Sequence, residues 1–288
     1  MIRQGYRTTP PKLRVLNWGL GQDSTTIALL AAHGSIPPFD AIIWADTQQE
    51  PAEVYATLAW VLPLLKTPVY RVTAGDLGAD ILRIATATRV GAPHRTASSP
   101  NAPFFVRNAP NLDYPTADSG GTLWRRCTVQ YKIAPIRRKI RELLGVGRRG
   151  PIPAHSWIEQ AIGFPLDEVG RTFCSDVHWI VNTFPLIDLR MRKRDCARWL
   201  TEHGYPIPPK SSCRFCPYHS DAYWRRMRDT QPEEWARTVA FEQTLQAGKI
   251  PGVRGTPYLH KSMVPLPCAP IDVPDADQEE LFCFACNT

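Results

Sequence analysis

The chain has 288 residues, 43% of them hydrophobic, which is enough for one large domain or a domain with a smaller attachment. No apolar run approaches bilayer-spanning length, and the opening MIRQGYRTTPPKLR has basic residues with no apolar stretch behind them. Neither a membrane protein nor a secreted one is expected, and the expected compartment is the cytoplasm. The formal net charge of +7 suits a polyanionic partner, nucleotide or nucleic acid, without choosing between them.

Residues 14–18 (RVLNW) read as a short buried strand, and residues 24–32 (STTIALLAA) as a helix ended by Gly34. A second strand is expected at 40–45, helical spacing at 53–65 and a third strand at 69–72. This alternation predicts a parallel sheet with crossover helices. Residues 86–122, rich in Pro, Ser, Asn and Gly, read as one long loop of the kind that forms a substrate lid. A helix is expected at 131–144 despite Pro135, strands at 157–163 and 178–184, and a basic amphipathic helix at 189–203. From Pro206 the chain turns to cysteines, aromatics and prolines. The expected division is an α/β nucleotide-binding domain over 1–205, with a cysteine-rich region, 206–288, packed on it.

The segment LNWGLGQDSTTIALL sets Gly19, Gly21, Asp23 and the hydroxyls of Ser24, Thr25 and Thr26 between a strand and a helix. Glycines let backbone amides approach an anion, and the helix N-terminus adds partial positive charge. Ser24 and Thr25 are candidate phosphate contacts. The segment lacks the Gly-Lys-Ser ending of a Walker loop and is not a Gly-x-Gly-x-x-Gly dinucleotide fingerprint. A plain helix cap at Asp23 or Ser24 is the bland alternative.

Eight cysteines in a cytoplasmic chain are not expected to form stable disulfides. Four fall in two C-x-x-C pairs, Cys213/Cys216 and Cys283/Cys286, a spacing that signals metal, an iron–sulfur cluster or redox chemistry. Cys196 lies in a helical pattern and reads as packing. Basic residues gather around Cys127 and again at residues 190–194. YWRRMRD interleaves aromatics with arginines, as in binding of single-stranded nucleic acid, although a solvated helix face is the commoner fate of such runs.

Four motifs in this order resemble the adenine-nucleotide alpha-hydrolase (PP-loop) superfamily, and within it the sulfonucleotide (PAPS/APS) reductase group. WGLGQDSTT is similar to the pyrophosphatase loop Ser-Gly-Gly-x-Asp-Ser, and WADTQQEPAEVY to the Ala-Asp-Thr-x-x-Glu element. RRCTVQYKIAPIRRKI is similar to the Cys–Lys–Pro segment, and SSCRFCP to the later C-x-x-C. Trp18 and Leu20 depart from the loop pattern; Asp23-Ser24 is kept. The resemblance implies an α/β, Rossmann-like (HUP-type) parallel sheet with helices on both faces, the nucleotide lying across the carboxyl ends of the strands. It implies ATP, or PAPS or APS, as the bound nucleotide, with Mg2+ bridging phosphate and Asp23. It also places Asp46 at the nucleotide or metal, and Arg171, in Asp167-Glu168-x-x-Arg171, near the active site. Cys127, Cys213 and Cys216 match three cluster ligands, Arg126 standing where relatives carry a fourth. This points to a [4Fe-4S] cluster, with Zn2+ completed by His219 or a tail cysteine as the alternative.

The activity that follows is ATP-dependent sulfur transfer, with Asp23, Cys127, Cys283 and Cys286 as the catalytic candidates. The acceptor, a tRNA or DNA base among the options, would be adenylated and then thiolated, the sulfur coming from a cysteine desulfurase or a thioredoxin-like donor. Two alternatives stand beside it: reduction of phosphoadenylyl or adenylyl sulfate, and a nucleic-acid-binding protein with structural zinc.

Overall fold

The computed structural model describes residues 9–87, 102–107, 120–147, 149–253 and 255–273. In chain order the elements are β1 (Leu13–Asn17), α1 (Gln22–Ala32), β2 (Ala41–Ala45), α2 (Ala52–Val61), β3 (Val69–Val72) and α3 (Leu77–Thr86). Then come β4 (Phe105–Arg107), β5 (Gly120–Thr122), α4 (Ala134–Leu143), β6 (Ile158–Ile162), β7 (Ile180–Thr183), α5 (Pro185–Asp188) and α6 (Lys193–Glu202). The series ends with α7 (Asp221–Thr230), α8 (Pro232–Ala247) and β8 (Thr256–Tyr258). No helix among the described residues is long and apolar enough to cross a membrane.

Five strands form one parallel sheet in the order β3-β2-β1-β6-β7. Side chains alternate across a strand, so neighbouring residues serve opposite faces. Leu16, Ile42, Trp44 and Ala161 pack with α1, α2 and α6 on one face. Val15, Ile43, Ile158 and Ile180 pack with Ile136 and Ile140 of α4 on the other. With helices on both faces of a parallel sheet, the fold is Rossmann-like. Cys196 is fully buried in the first of these faces, as its helical pattern predicts.

Boundaries moved for local reasons. The second helix ends at Val61 because Pro63 cannot continue it, and Leu62–Leu64 makes a 3-10 turn instead. The basic helix begins at Lys193. Arg190 takes a left-handed φ of 56°, and the Asp195 carboxylate accepts the Arg192 N–H at 2.9 Å as a cap. A π-helical stretch, Thr128–Ile133, runs into α4.

The segment 86–122 is not wholly a loop. β4 and β5 within it form an antiparallel sheet with β8, in the order β5-β4-β8. A third core joins Leu77, Ile81, Phe104 and Tyr131 to Phe215, Trp224, Phe241 and Leu245. After Pro206 the chain forms α7 and α8, and α8 packs against α3. Gly248 lies so close to α3 that an added Cβ would fall 2.4 Å from the Ala85 carbonyl oxygen.

Candidate functional site

The sheet order reverses at β1. The chain moves outward from β1 through β2 to β3, then returns to place β6 on the other side of β1. In open α/β sheets, ligands bind at the carboxyl ends of the strands at such a point. The loop after β1 carries the glycine-rich motif, and the residue after β6 is Gly163. A Cβ on Gly163 would stand 2.8 Å from the Ser24 nitrogen, so only glycine fits beside the loop.

The loop is held by its own side chains. The Ser24 hydroxyl accepts from Gly19 N–H at 3.1 Å and donates to the Gly21 carbonyl at 3.3 Å. The Trp18 indole N–H donates to the Thr25 hydroxyl at 3.0 Å, and both side chains are buried. Thr25 thus helps brace the loop. Trp18, which replaces the serine of the resembling motif, supplies that brace. Leu20 adopts φ 64°, a left-handed conformation that ordinarily suits glycine, and its side chain is fully buried.

Asp23 sits at the loop mouth among charged neighbours. Burial pushes its carboxyl up to about 6; Lys193 and Arg171 oppose that shift, while Glu168 and Asp167 reinforce it. Its Oδ1 is buried with no hydrogen-bond partner, and so are Asn17 Oδ1 at the end of β1 and Arg171 Nε. An unpartnered buried carboxylate oxygen is the kind of atom a hard cation such as Mg2+ takes as a ligand, although among the described residues no three carboxylates converge there as a metal-binding group. Arg171 pairs with Glu168, and its guanidinium lies 4.7 Å over the Phe164 ring. The Asp-Glu-x-x-Arg segment thus lies near enough to the glycine-rich loop for its charges to act on Asp23.

Asp46 is placed differently. It is fully buried, and its oxygens accept from Gln48 N–H at 2.7 Å, Tyr55 hydroxyl at 2.9 Å and Arg71 Nε at 2.9 Å. These bonds tie β2 to β3 and α2.

A strap, residues 209–214, connects the loop to the cysteines. Gly21 faces it so closely that an added Cβ would lie 3.5 Å from Ser211 N. The Ser211 hydroxyl donates to Glu50 at 3.2 Å, and Arg214 N–H donates to the Gln49 carbonyl at 2.8 Å. Glu50 is 4% exposed, and its acidity is weakened by burial, with Lys132 (3.7 Å away) opposing. Burial works against the Lys132 charge, but Glu50, Cys213 and Cys127 hold its pKa above the usual lysine value. The Cys213 thiol lies 3.2 Å from the Thr47 hydroxyl, and burial followed by Glu50 keeps it firmly protonated. Burial likewise raises Cys216, whose surroundings include Cys127.

Three sequence motifs therefore meet around Lys132: Asp46-Thr47-x-x-Glu50, the Cys127 segment and the C-x-x-C. Among the described residues, however, no three Cys, His, Asp or Glu side chains converge as a metal-binding group. His219 bonds the Cys213 carbonyl through Nε2 at 2.9 Å, and burial drives its pKa down to about 3. Cys283 and Cys286 lie outside the described residues.

The arginines of YWRRMRD are committed internally. Arg225 donates to the Ile271 carbonyl, Arg226 pairs with Glu53 at 2.6 Å, and Arg228 with Asp272 at 2.8 Å. Sequence reasoning missed Glu50 and Lys132 as site residues, although both stand inside quoted motifs. It also missed Lys193, which was visible only as part of a charge run.

No family model matches the chain, and no curated relative matches it either. Among solved structures, the phosphoadenylyl-sulfate (PAPS) reductase from Candida auris, in a phosphate complex, is similar at 13% identity. The match covers 70% of this chain and 76% of that one, with a TM-score of 0.35. The architecture assigned here stands on the sheet order and the two helix layers.

Proposed function

We propose that the chain is an enzyme of the PP-loop kind that binds an adenine nucleotide at the carboxyl ends of β1 and β6. On this reading it uses ATP to activate an acceptor for sulfur transfer. The observation that carries the reading is Asp23, a half-buried carboxylate with an unpartnered oxygen at the mouth of a glycine-rich loop on the sheet's switch point. Mg2+ bound there would offset phosphate charge. The loop amides would orient the phosphate chain, and Gly163 would allow close approach. An acceptor oxygen then attacks the α-phosphorus, the bond to the bridging oxygen breaks, and pyrophosphate leaves. A sulfur nucleophile next attacks the adenylated carbon, and AMP departs with the bonding electrons. The acceptor is proposed as a nucleic-acid base and the donor as a desulfurase-borne persulfide or a thioredoxin-like protein.

Cys127, Cys213 and Cys216 are the proposed seat of an iron–sulfur cluster, with zinc as the alternative. Among the described residues they do not converge as a ligand set, and the Cys213 thiol is turned to Thr47. The second reading is reduction of phosphoadenylyl or adenylyl sulfate. It draws support from the segment's placement, which brings Cys127 and Lys132 to the strap that carries Cys213.

Turnover assays on anaerobically purified protein separate the two. ATP-dependent release of pyrophosphate is expected. Sulfite release from a sulfonucleotide with no ATP requirement would replace the first reading by the second. Iron, sulfide and zinc analysis of the same preparation tests the cysteine site.

A further inference from the structure

α6 meets the start of α1 through its first residue. The backbone of Lys193 is fixed there from two sides. Its N–H donates to Asp167 Oδ2 at 2.8 Å, and its carbonyl accepts from Gln22 Nε2 at 2.6 Å. Gln22 is the first residue of α1, immediately after Gly21. The Lys193 Cα is therefore anchored to the mouth of the loop, on the side where Asp167, Glu168 and Arg171 stand.

The side chains around that mouth differ in what they hold. Arg171 pairs with Glu168, and Arg192 lies 3.8 Å from Asp167. Lys193 is exposed and forms no ion pair among the described residues, yet its charge is felt by Asp23. It is a cation whose base is fixed beside Gln22, the residue that follows Gly21, and whose exposed head forms no ion pair among the described residues. A lysine so placed suits phosphate, which its compact ammonium binds as a point charge on a flexible stem.

We propose that Lys193 reads the terminal phosphates of a bound nucleoside triphosphate, and so sets the preference for ATP over a nucleotide with a single 5′-phosphate. The proposal rests on the nucleotide-binding function given above and names a specificity residue within that site. An adenine nucleotide with one phosphate would be held by the loop alone and would not reach the ammonium. A triphosphate would reach it, and the contact would persist on pyrophosphate as it leaves.

Calorimetric titration with MgATP and with AMP tests this on the full chain. Lys193→Ala should raise the dissociation constant for MgATP about tenfold and change that for AMP less than about twofold. Lys193→Arg should recover most of the MgATP affinity. Arg194→Ala removes the same charge one residue further on, from a different side of the helix, and should change neither constant. Because the Lys193 anchors are backbone atoms and its head is exposed, the alanine variant retains its fold, which its melting curve checks. An unchanged MgATP constant in Lys193→Ala, an equal loss for AMP, or an equal loss in Arg194→Ala would each overturn the proposal. Failure of the wild-type chain to bind MgATP would overturn the functional reading as well, and that result is read before any variant is made.

Discussion

At the residue scale, Asp23 links function to stability. Its carboxyl is raised from 3.8 to about 6, chiefly by burial. A raised acid pKa means that the native state binds more protons than the unfolded one between those values. Stability therefore falls as pH rises from about 4 to about 6, then levels off with the carboxylate fully charged. The full shift corresponds to at most about 3 kcal/mol, less after allowance for partial solvent screening. Asp23→Asn removes the charge at nearly constant shape. It should stabilise the fold by about 1–2 kcal/mol at pH 7.5 and by little at pH 4, while weakening MgATP binding at least about tenfold. Urea midpoints at the two pH values decide it; a pH-independent gain would show that Asp23 is not the strained group. In the wild type, MgATP affinity should climb as pH passes upward through about 6, since Mg2+ requires the deprotonated carboxylate.

Between elements, Asp46 and Arg226 perform structural tasks that their motifs do not announce. Asp46 joins β2 to β3 and α2 through Arg71 and Tyr55, from a fully buried position. Removing one partner of a buried pair leaves the other uncompensated, although the Arg71 end here is 61% exposed. Asp46→Ala should therefore cost about 2–4 kcal/mol, with MgATP affinity of the folded fraction unchanged. A large loss of affinity at unchanged melting temperature would return Asp46 to the nucleotide site. Arg226 ties α7 to α2 by two bonds to Glu53, at 2.9 and 2.6 Å. The pair is partly exposed, so Arg226→Ala should cost only about 0.5–1 kcal/mol. The salt dependence of any nucleic-acid binding should not change with it. A slope flattened by close to one phosphate contact, about 0.7 in log–log terms on single strands, would show that the arginine reaches a backbone after all.

For the whole molecule, the decisive feature is the third core. Leu77, Ile81, Phe104 and Tyr131 come from the first half of the chain; Phe215, Trp224, Phe241 and Leu245 come from the last third. β4 also needs β8 as a sheet partner. A chain ending at residue 205 would expose the first set and leave β4 without β8. It should be aggregation-prone or lack a cooperative melting transition, whereas the full chain should unfold in one step. A sharp transition in the truncated chain, at a temperature near that of the full one, would mean that the first 205 residues are self-sufficient. The strap over Gly21 argues the same way, because the last third also covers the phosphate loop.

The sequence alone determined the strand–helix alternation, and with it the Rossmann-like sheet, because period-2 and period-3.6 patterns and turn residues act over a few residues. It also located the glycine-rich loop between β1 and α1, since Gly19, Gly21 and Asp23 stand close together in the chain. The tertiary structure decided which polar side chains are free. Thr25 is claimed by Trp18, Asp46 by Arg71 and Tyr55, and Arg226 by Glu53, and none of these partners is predictable from local spacing. The same holds for what gathers at a distance: Glu50, Lys132 and Cys213 meet only because β2, the segment before α4 and the strap converge. Helices α3, α7 and α8 escaped sequence reading because their apolar residues serve a core assembled from distant parts of the chain. Their burial comes from one another and not from the main sheet. Local propensity is written residue by residue, whereas a side chain's availability is set by whichever partner folding brings to it.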